Sequence, residues 1–164
     1  MAELCFVTLW TIELPRSAVC DAIEHSLEWP QWWPGVEKVG EIARGDANGI
    51  GSVRRYLWKS RLPYRLRFDI RVTSMQRLTM VEGVASGDVE GVGRWSFTSE
   101  GKLTVARYDW QVRPTARWMR ILMPVAGSLF RWNHDILMRN GAEGLARLLN
   151  ARLVSCSSVA STQP

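Results

Sequence analysis

A two-residue hydrophobic period up to Pro114, a helical period beyond it, and turn residues at intervals between the short apolar runs predict an α+β fold. The expected architecture is a curved antiparallel sheet of about seven strands wrapped around one long C-terminal helix, with two short helices after the first strand.

The elements follow in order. From Leu4 to Leu14 the even positions read Leu, Phe, Thr, Trp, Ile and Leu, a strand with one apolar face that Pro15 ends. Ser17 is placed to cap a short helix that ends before Pro30, with Asp21 early enough to favour the helix dipole. In Trp29-Pro30-Gln31-Trp32-Trp33-Pro34-Gly35 two prolines confine three indoles to a kinked turn or loop. Strands are then expected from Val36 to Arg44 and from Gly51 to Ser60, joined through Asp46-Ala47-Asn48-Gly49, whose residues tolerate positive φ. After Leu62-Pro63-Tyr64, the residues Leu66, Phe68, Ile70 and Val72 alternate with Arg65, Arg67, Asp69 and Arg71, which marks a half-buried strand. Leu78 to Ser86, Glu90 to Thr98 and Thr104 to Val112 complete the set, separated by Gly87-Asp88 and Glu100-Gly101.

Past Pro114, Phe130, His134, Leu137, Gly141, Leu145 and Leu148 fall three or four apart on one helical face, and Pro124 with Gly127 predicts an early break or kink. From Val154 the chain is small and polar, so a single ligand-binding domain over 1–153 and a disordered tail over 154–164 are expected.

The chain has 164 residues, room for one domain and no second catalytic unit, and its 46% hydrophobic and 23% charged residues exclude disorder as the main state. Nine tryptophans are an excess that implies a large aromatic core or a cavity with flat walls. The net charge of +5 is carried mostly by arginines dispersed through the strands, which is the pattern of a solvated face, and no nucleic-acid partner is expected. Cys5, Cys20 and Cys156 have no metal-ligand spacing and read as free cytosolic thiols, and the N-terminus lacks the layout of a signal peptide, so a cytoplasmic location is expected. The run Ile121 to Phe130 is about half the length that spans a bilayer. Two histidines at positions 25 and 134 have no ligand spacing, so neither a metal nor any other cofactor is expected.

Several of these segments together resemble the polyketide cyclase and START-related (SRPBCC) superfamily, the helix-grip or birch-pollen-allergen fold. They are Ile12-Glu13-Leu14-Pro15, the tryptophan-rich segment through Val36, Gly49-Ile50-Gly51, Leu62-Pro63-Tyr64-Arg65-Leu66, Gly91-Val92-Gly93-Arg94-Trp95 and Phe130-Arg131-Trp132-Asn133-His134-Asp135. The resemblance spans nearly the whole chain and implies a hydrophobic cavity between sheet and helix. Members of this fold include cyclases, lipid carriers, quinone-binding proteins, receptors and hydrolase-like enzymes, so the cavity's residues decide the chemistry.

His134 lies on the face expected to meet the sheet, where an imidazole could move protons near neutral pH or be a core histidine satisfied by Asp135 or a carbonyl. If even positions face inward, Arg54, Tyr56 and Trp58 on one strand and Tyr108 and Trp110 on another enter the cavity. In a cyclase, Arg54 and the tyrosines would then bind ketone oxygens and stabilise an enolate; otherwise Tyr108 and Trp110 are core and Arg54 reaches solvent. Glu82 is either an inward carboxylate or the surface partner of Arg71 or Arg94. Trp29, Trp32 and Trp33 form either a lid or a plug. The expected ligand-binding set is Trp10, Trp32, Trp33, Tyr56, Trp58, Phe68, Tyr108, Trp110, Phe130, His134 and Leu137, with His134, Arg54, Tyr56 and Tyr108 as catalytic candidates. Two functions remain open: a carrier or sensor of a lipid, quinone or polyketide-like molecule, and a polyketide cyclase or dehydratase. A peripheral membrane contact through Trp118, Met119, Ile121, Leu122 and Met123, flanked by Arg117 and Arg120, would suit a lipid carrier. The oligomeric state is not legible in the sequence.

Overall fold

The computed structural model describes residues 3–59 and 61–163. Its elements are β1 (Glu3–Ile12), α1 (Arg16–Glu24), a 3-10 turn (Ser26–Glu28), α2 (Trp29–Trp32), β2 (Val36–Ala43), β3 (Val53–Lys59), β4 (Arg65–Gln76), β5 (Met80–Gly87), β6 (Val89–Glu100), β7 (Leu103–Pro114), α3 (Arg117–Leu148) and β8 (Leu153–Gln163). The expected α+β architecture is present, with eight strands where about seven were expected. They form one antiparallel sheet in the order β2-β3-β4-β5-β6-β7-β1-β8.

The alternation that identified the strands also orients them. In β1 the buried residues are Leu4, Phe6, Thr8, Trp10 and Ile12, every second position. Register breaks at Val36/Lys38, Glu41/Ala43, Val72/Ser74 and Thr11/Ile12 interrupt the ladders, and such irregularities bend strands and increase their twist, which lets the sheet curl. The C-terminal half of α3 lies against it, burying Met138, Gly141, Ala142, Leu145 and Ala146. On the convex side the dispersed arginines are largely neutralised pairwise, as in Arg55–Asp69, Arg65–Glu37, Arg107–Asp109 and Arg113–Glu90.

Four local expectations are corrected. Residues 154–164 were expected as a disordered tail, yet β8 runs antiparallel beside β1 through Gln163, and Pro164 lies outside the described residues. The small side chains that make the segment look like a tail suit its place, because Cys156, Ser158 and Ala160 face the buried side opposite Trp10, Thr8 and Phe6. Ser158 hydrogen-bonds Thr8, which is fully buried. Ser17 does not cap α1: the helix starts at Arg16, two residues earlier than that cap implies, Pro15 stands at the cap, and no side-chain cap hydrogen bond forms. Of the break or kink expected at Pro124 and Gly127, the break does not occur, since α3 continues on both sides of Pro124. Leu148 is 53% exposed rather than on the buried face, because α3 ends there in an exposed last turn.

Candidate functional site

A cavity of about 590 Å3 lies between the concave face of the sheet, the α1–α2 region and α3. Its walls come from the even-numbered positions of β3, β4 and β7: Arg54, Tyr56 and Trp58, then Leu66, Phe68, Ile70 and Val72, then Tyr108 and Trp110. The register explains this, since Tyr56 pairs with Phe68, Arg54 with Ile70, and Trp58 with Leu66. Residues directly opposite in a ladder share a face. The floor exists because two strands carry glycine where a side chain would fill it. Gly83 and Gly93 are opposite each other, and a Cβ on Gly93 would stand 2.8 Å from the Trp110 ring and 3.0 Å from the Tyr108 hydroxyl.

Five of the nine tryptophans (Trp29, Trp33, Trp58, Trp95 and Trp110) line this space. The indoles of α2 are a fixed wall rather than a loose cover. Trp29 donates its Nε1–H to the Ala22 carbonyl at 3.0 Å, and Trp33 donates to the Leu137 carbonyl at 2.8 Å. Trp33 is 2% exposed and ties α2 to α3.

Against this apolar wall stands a hydrogen-bonded polar cluster, and Glu24, Glu41, Asp46 and Glu82 are also among the lining residues. Arg54 donates from Nη1 to the Glu24 carbonyl and to the Ser26 hydroxyl, both at 2.8 Å, and Ser26 is also 2.8 Å from the Tyr56 hydroxyl. The Arg54 Nε–H is buried and makes no hydrogen bond, and among the described residues no carboxylate comes within ion-pair distance of the guanidinium. Glu41, its neighbour across the β2–β3 ladder, pairs with Arg44 instead. Arg54 is half-buried, and a cation taken partly out of water is costly unless it is paired. This one is held by a carbonyl and a hydroxyl only, so it can donate to an anionic or carbonyl oxygen of a ligand in the cavity.

Burial raises the Tyr56 phenol above its usual range, a shift opposed by the Ser26 hydrogen bond and by Arg54. Burial pushes Tyr108 well above the same range, with Tyr56 adding to the effect, so both phenols stay neutral and can donate. The Tyr108 ring stacks on Trp95 at 4.5 Å, and its hydroxyl has no hydrogen-bond partner among the described residues.

His134 reaches the cavity from α3 with 15% of its side chain exposed, its ring stacked on Phe6 at 3.9 Å. Its Nδ1 is buried and lies 3.8 Å from the Asp135 carboxylate, too far for a hydrogen bond. Burial lowers the imidazole pKa against the opposing pull of Asp135, so the ring is neutral at pH 7. No hydrogen bond joins it to the Arg54 cluster.

The remaining site expectations divide. Leu137 and Trp33 line the cavity with the strand residues. Trp10, Trp32 and Phe130 do not. Trp10 is 1% exposed behind Trp33 and Trp95, Trp32 stacks on Trp33 from outside, and Phe130 packs on Tyr64 and Trp118. Glu82 takes the surface alternative, accepting from Arg94 Nε at 2.7 Å near the cavity rim. Ser26, Tyr64 and Asn133 escaped the sequence reading although all three line the cavity. Ser26 meets Arg54 and Tyr56 only through folding, since nearly thirty residues separate them, whereas Asn133 adjoins His134 and could have been found beside it.

No family model matches the chain, and no curated protein is similar to it. Solved structures share its fold. A START superfamily protein from Mycobacterium smegmatis superposes with a TM-score of 0.71 at 15% identity, over 89% of this chain and 97% of the other. The ZhuI aromatase/cyclase from Streptomyces sp. R1128 gives 0.60 at 15% identity, over 88% and 96%. The di-domain ARO/CYC BexL from the BE-7585A biosynthetic pathway gives 0.72 at 18% identity over 92% of this chain, which spans about half (51%) of that protein. The expected helix-grip fold is therefore present, and identities this low carry the fold and nothing finer.

Proposed function

We propose that the protein binds one hydrophobic small molecule that carries an oxygen function at one end, as a carrier or sensor. The supporting observation is the Arg54 guanidinium, without a carboxylate partner among the described residues, beside the aromatic and aliphatic strand walls of a cavity of about 590 Å3. That volume lies within the range of sites for drug-sized ligands, which are mostly apolar with a few placed polar groups. Lipids, quinones and polyketide-like molecules all pair a flat or flexible apolar body with such an oxygen.

A second reading, polyketide cyclase or dehydratase, is favoured by the convergence of Arg54, Ser26 and Tyr56 and by the unengaged Tyr108 hydroxyl. Arg54 and a neutral phenol would stabilise an enolate, and the aromatic walls would hold the chain in one fold. The base is the weak point of this reading. His25 and His134 both line the cavity, and burial makes His134 less basic than a free imidazole.

Titration with 8-anilinonaphthalene-1-sulfonate, an apolar ring system with one anionic group, tests the binding proposal. Saturable binding at about one site per chain with quenching of tryptophan emission is expected, and Arg54→Met should weaken it at least about tenfold while neutral Nile red is little affected. Weak binding at many sites, or an unchanged affinity in a variant that melts normally, overturns it. Incubation with a poly-β-ketothioester separates the two readings: a carrier returns it unchanged, and a cyclase or dehydratase releases water from it.

A further inference from the structure

The N-terminal half of α3 leaves an apolar surface uncovered. Val125 is 87% exposed, Ile121 72%, Trp132 47%, Leu122 46% and Leu129 44%. At 100° per residue these five fall within about a third of the helix circumference, a continuous stripe rather than scattered side chains. Single exposed apolar residues are ordinary on soluble proteins, whereas a contiguous row of this kind marks a contact surface. The surface differs from the one expected in the sequence. Met119 is buried, Trp118 packs on Tyr64 and Phe130, and Met123 is partly buried against the core, so Val125, Leu129 and Trp132 take their places.

The charges beside the stripe have one sign. Residues 117–132 contain Arg117, Arg120 and Arg131 and no acidic residue, and Arg117 and Arg120 are exposed without a carboxylate partner among the described residues. Elsewhere the protein neutralises many of its arginines in ion pairs, so the lack of acids here is local. The stripe is the outer face of a helix. No helix among the described residues is long and apolar enough to cross a membrane.

We propose that this half of α3 docks on the surface of an anionic lipid bilayer, with Ile121, Val125, Leu129 and Trp132 entering the acyl boundary and Arg117 and Arg120 beside the head groups. Tyr64 connects this surface to the cavity. Its ring is 4.9 Å from Trp118 and 5.7 Å from Phe130, its hydroxyl accepts from Asn133 Nδ2 at 3.2 Å, and it lines the cavity wall. A docked α3 therefore places the cavity wall next to the bilayer. The proposal stands apart from the cavity reading, since attachment to vesicles needs no ligand.

Co-sedimentation of the full chain with vesicles of phosphatidylcholine alone, or with phosphatidylglycerol added to about a third, provides the test. Binding to the anionic vesicles is expected, weakening as salt is raised. Ile121→Glu/Val125→Glu should reduce partitioning at least about tenfold, and Arg117→Gln/Arg120→Gln should reduce it by about fivefold for each arginine. Both pairs are at exposed positions, so unchanged melting temperatures are expected and verify folding. Three results overturn the proposal. One is no attachment to anionic vesicles. Another is equal attachment to neutral and anionic vesicles, unaffected by either pair. The third is self-association that the glutamate pair abolishes, without lipid binding, which would make the stripe an interface between copies.

Discussion

At the scale of single residues, the polar side chains of the cavity differ in what holds them. Arg54, Ser26 and Tyr56 hold one another through bonds of 2.8 Å, whereas His134 is held by stacking on Phe6 and by its place on α3. That difference predicts a pH effect. The His134 pKa is lowered in the folded protein from an ordinary value of 6.5. Below that pH an unfolded chain binds a proton that the folded chain resists, so stability is full above about pH 6.5 and declines as pH falls toward the lowered folded value. His134→Gln should flatten this part of the stability profile, which urea denaturation at stepped pH measures. Equal slopes in the two proteins would mean that the imidazole is solvated enough to titrate normally. The same substitution tests function, because a loss of probe affinity without a loss of stability would place the ring in the binding surface.

At the scale of elements, the contact between α2 and α3 sets the width of the cavity, and glycines on α3 make it close. A Cβ on Gly141 would stand 2.3 Å from the Trp33 ring, and one on Gly144 would stand 2.0 Å from the Trp32 carbonyl oxygen. Alanine normally gains up to about 1 kcal/mol over glycine within a helix, but overpacking costs about 1–3 kcal/mol. Gly144→Ala meets backbone and should lower the melting temperature most. Gly141→Ala meets an indole that is hydrogen-bonded to Leu137 and should also lower it, and Gly127→Ala, where the nearest atom is 3.6 Å away, should raise it. A calorimetric melt of the three variants checks this order, and stabilisation by Gly144→Ala would contradict the contact. These elements differed in how legible they were. The strands announced their faces because their residues alternate strictly, and Arg54, Tyr56, Trp58, Tyr108 and Trp110 all line the cavity as alternation implied. The indoles were harder to place. Composition implied an aromatic wall without saying which rings form it, and Trp10 and Trp32 lie one layer behind because the turn at Pro30 and Pro34 stacks Trp32 on the far side of Trp33.

At the scale of the molecule, the sheet reaches its full width only with β8, the element that hydropathy misread. A segment of serine, alanine and cysteine buries little by itself, so its conformation depends on the edge it meets. That edge is β1, whose other side is already paired with β7 and whose free side would otherwise present a row of unpaired backbone groups. Thr8 sharpens the dependence, because its hydroxyl is fully buried and its hydrogen bond is to Ser158. A buried hydroxyl without a partner costs about 1–3 kcal/mol, and Phe6 and Trp10 on the same face would lose cover at the same time. Removing residues 153–164 should therefore destabilise the protein by roughly 2 kcal/mol or more and leave an open strand that pairs with other copies. Thermal melts and size-exclusion chromatography over a range of concentrations read the two effects. A disordered tail would leave both unchanged, so a truncated chain that melts and elutes like the full one would return these residues to the tail that their composition suggests.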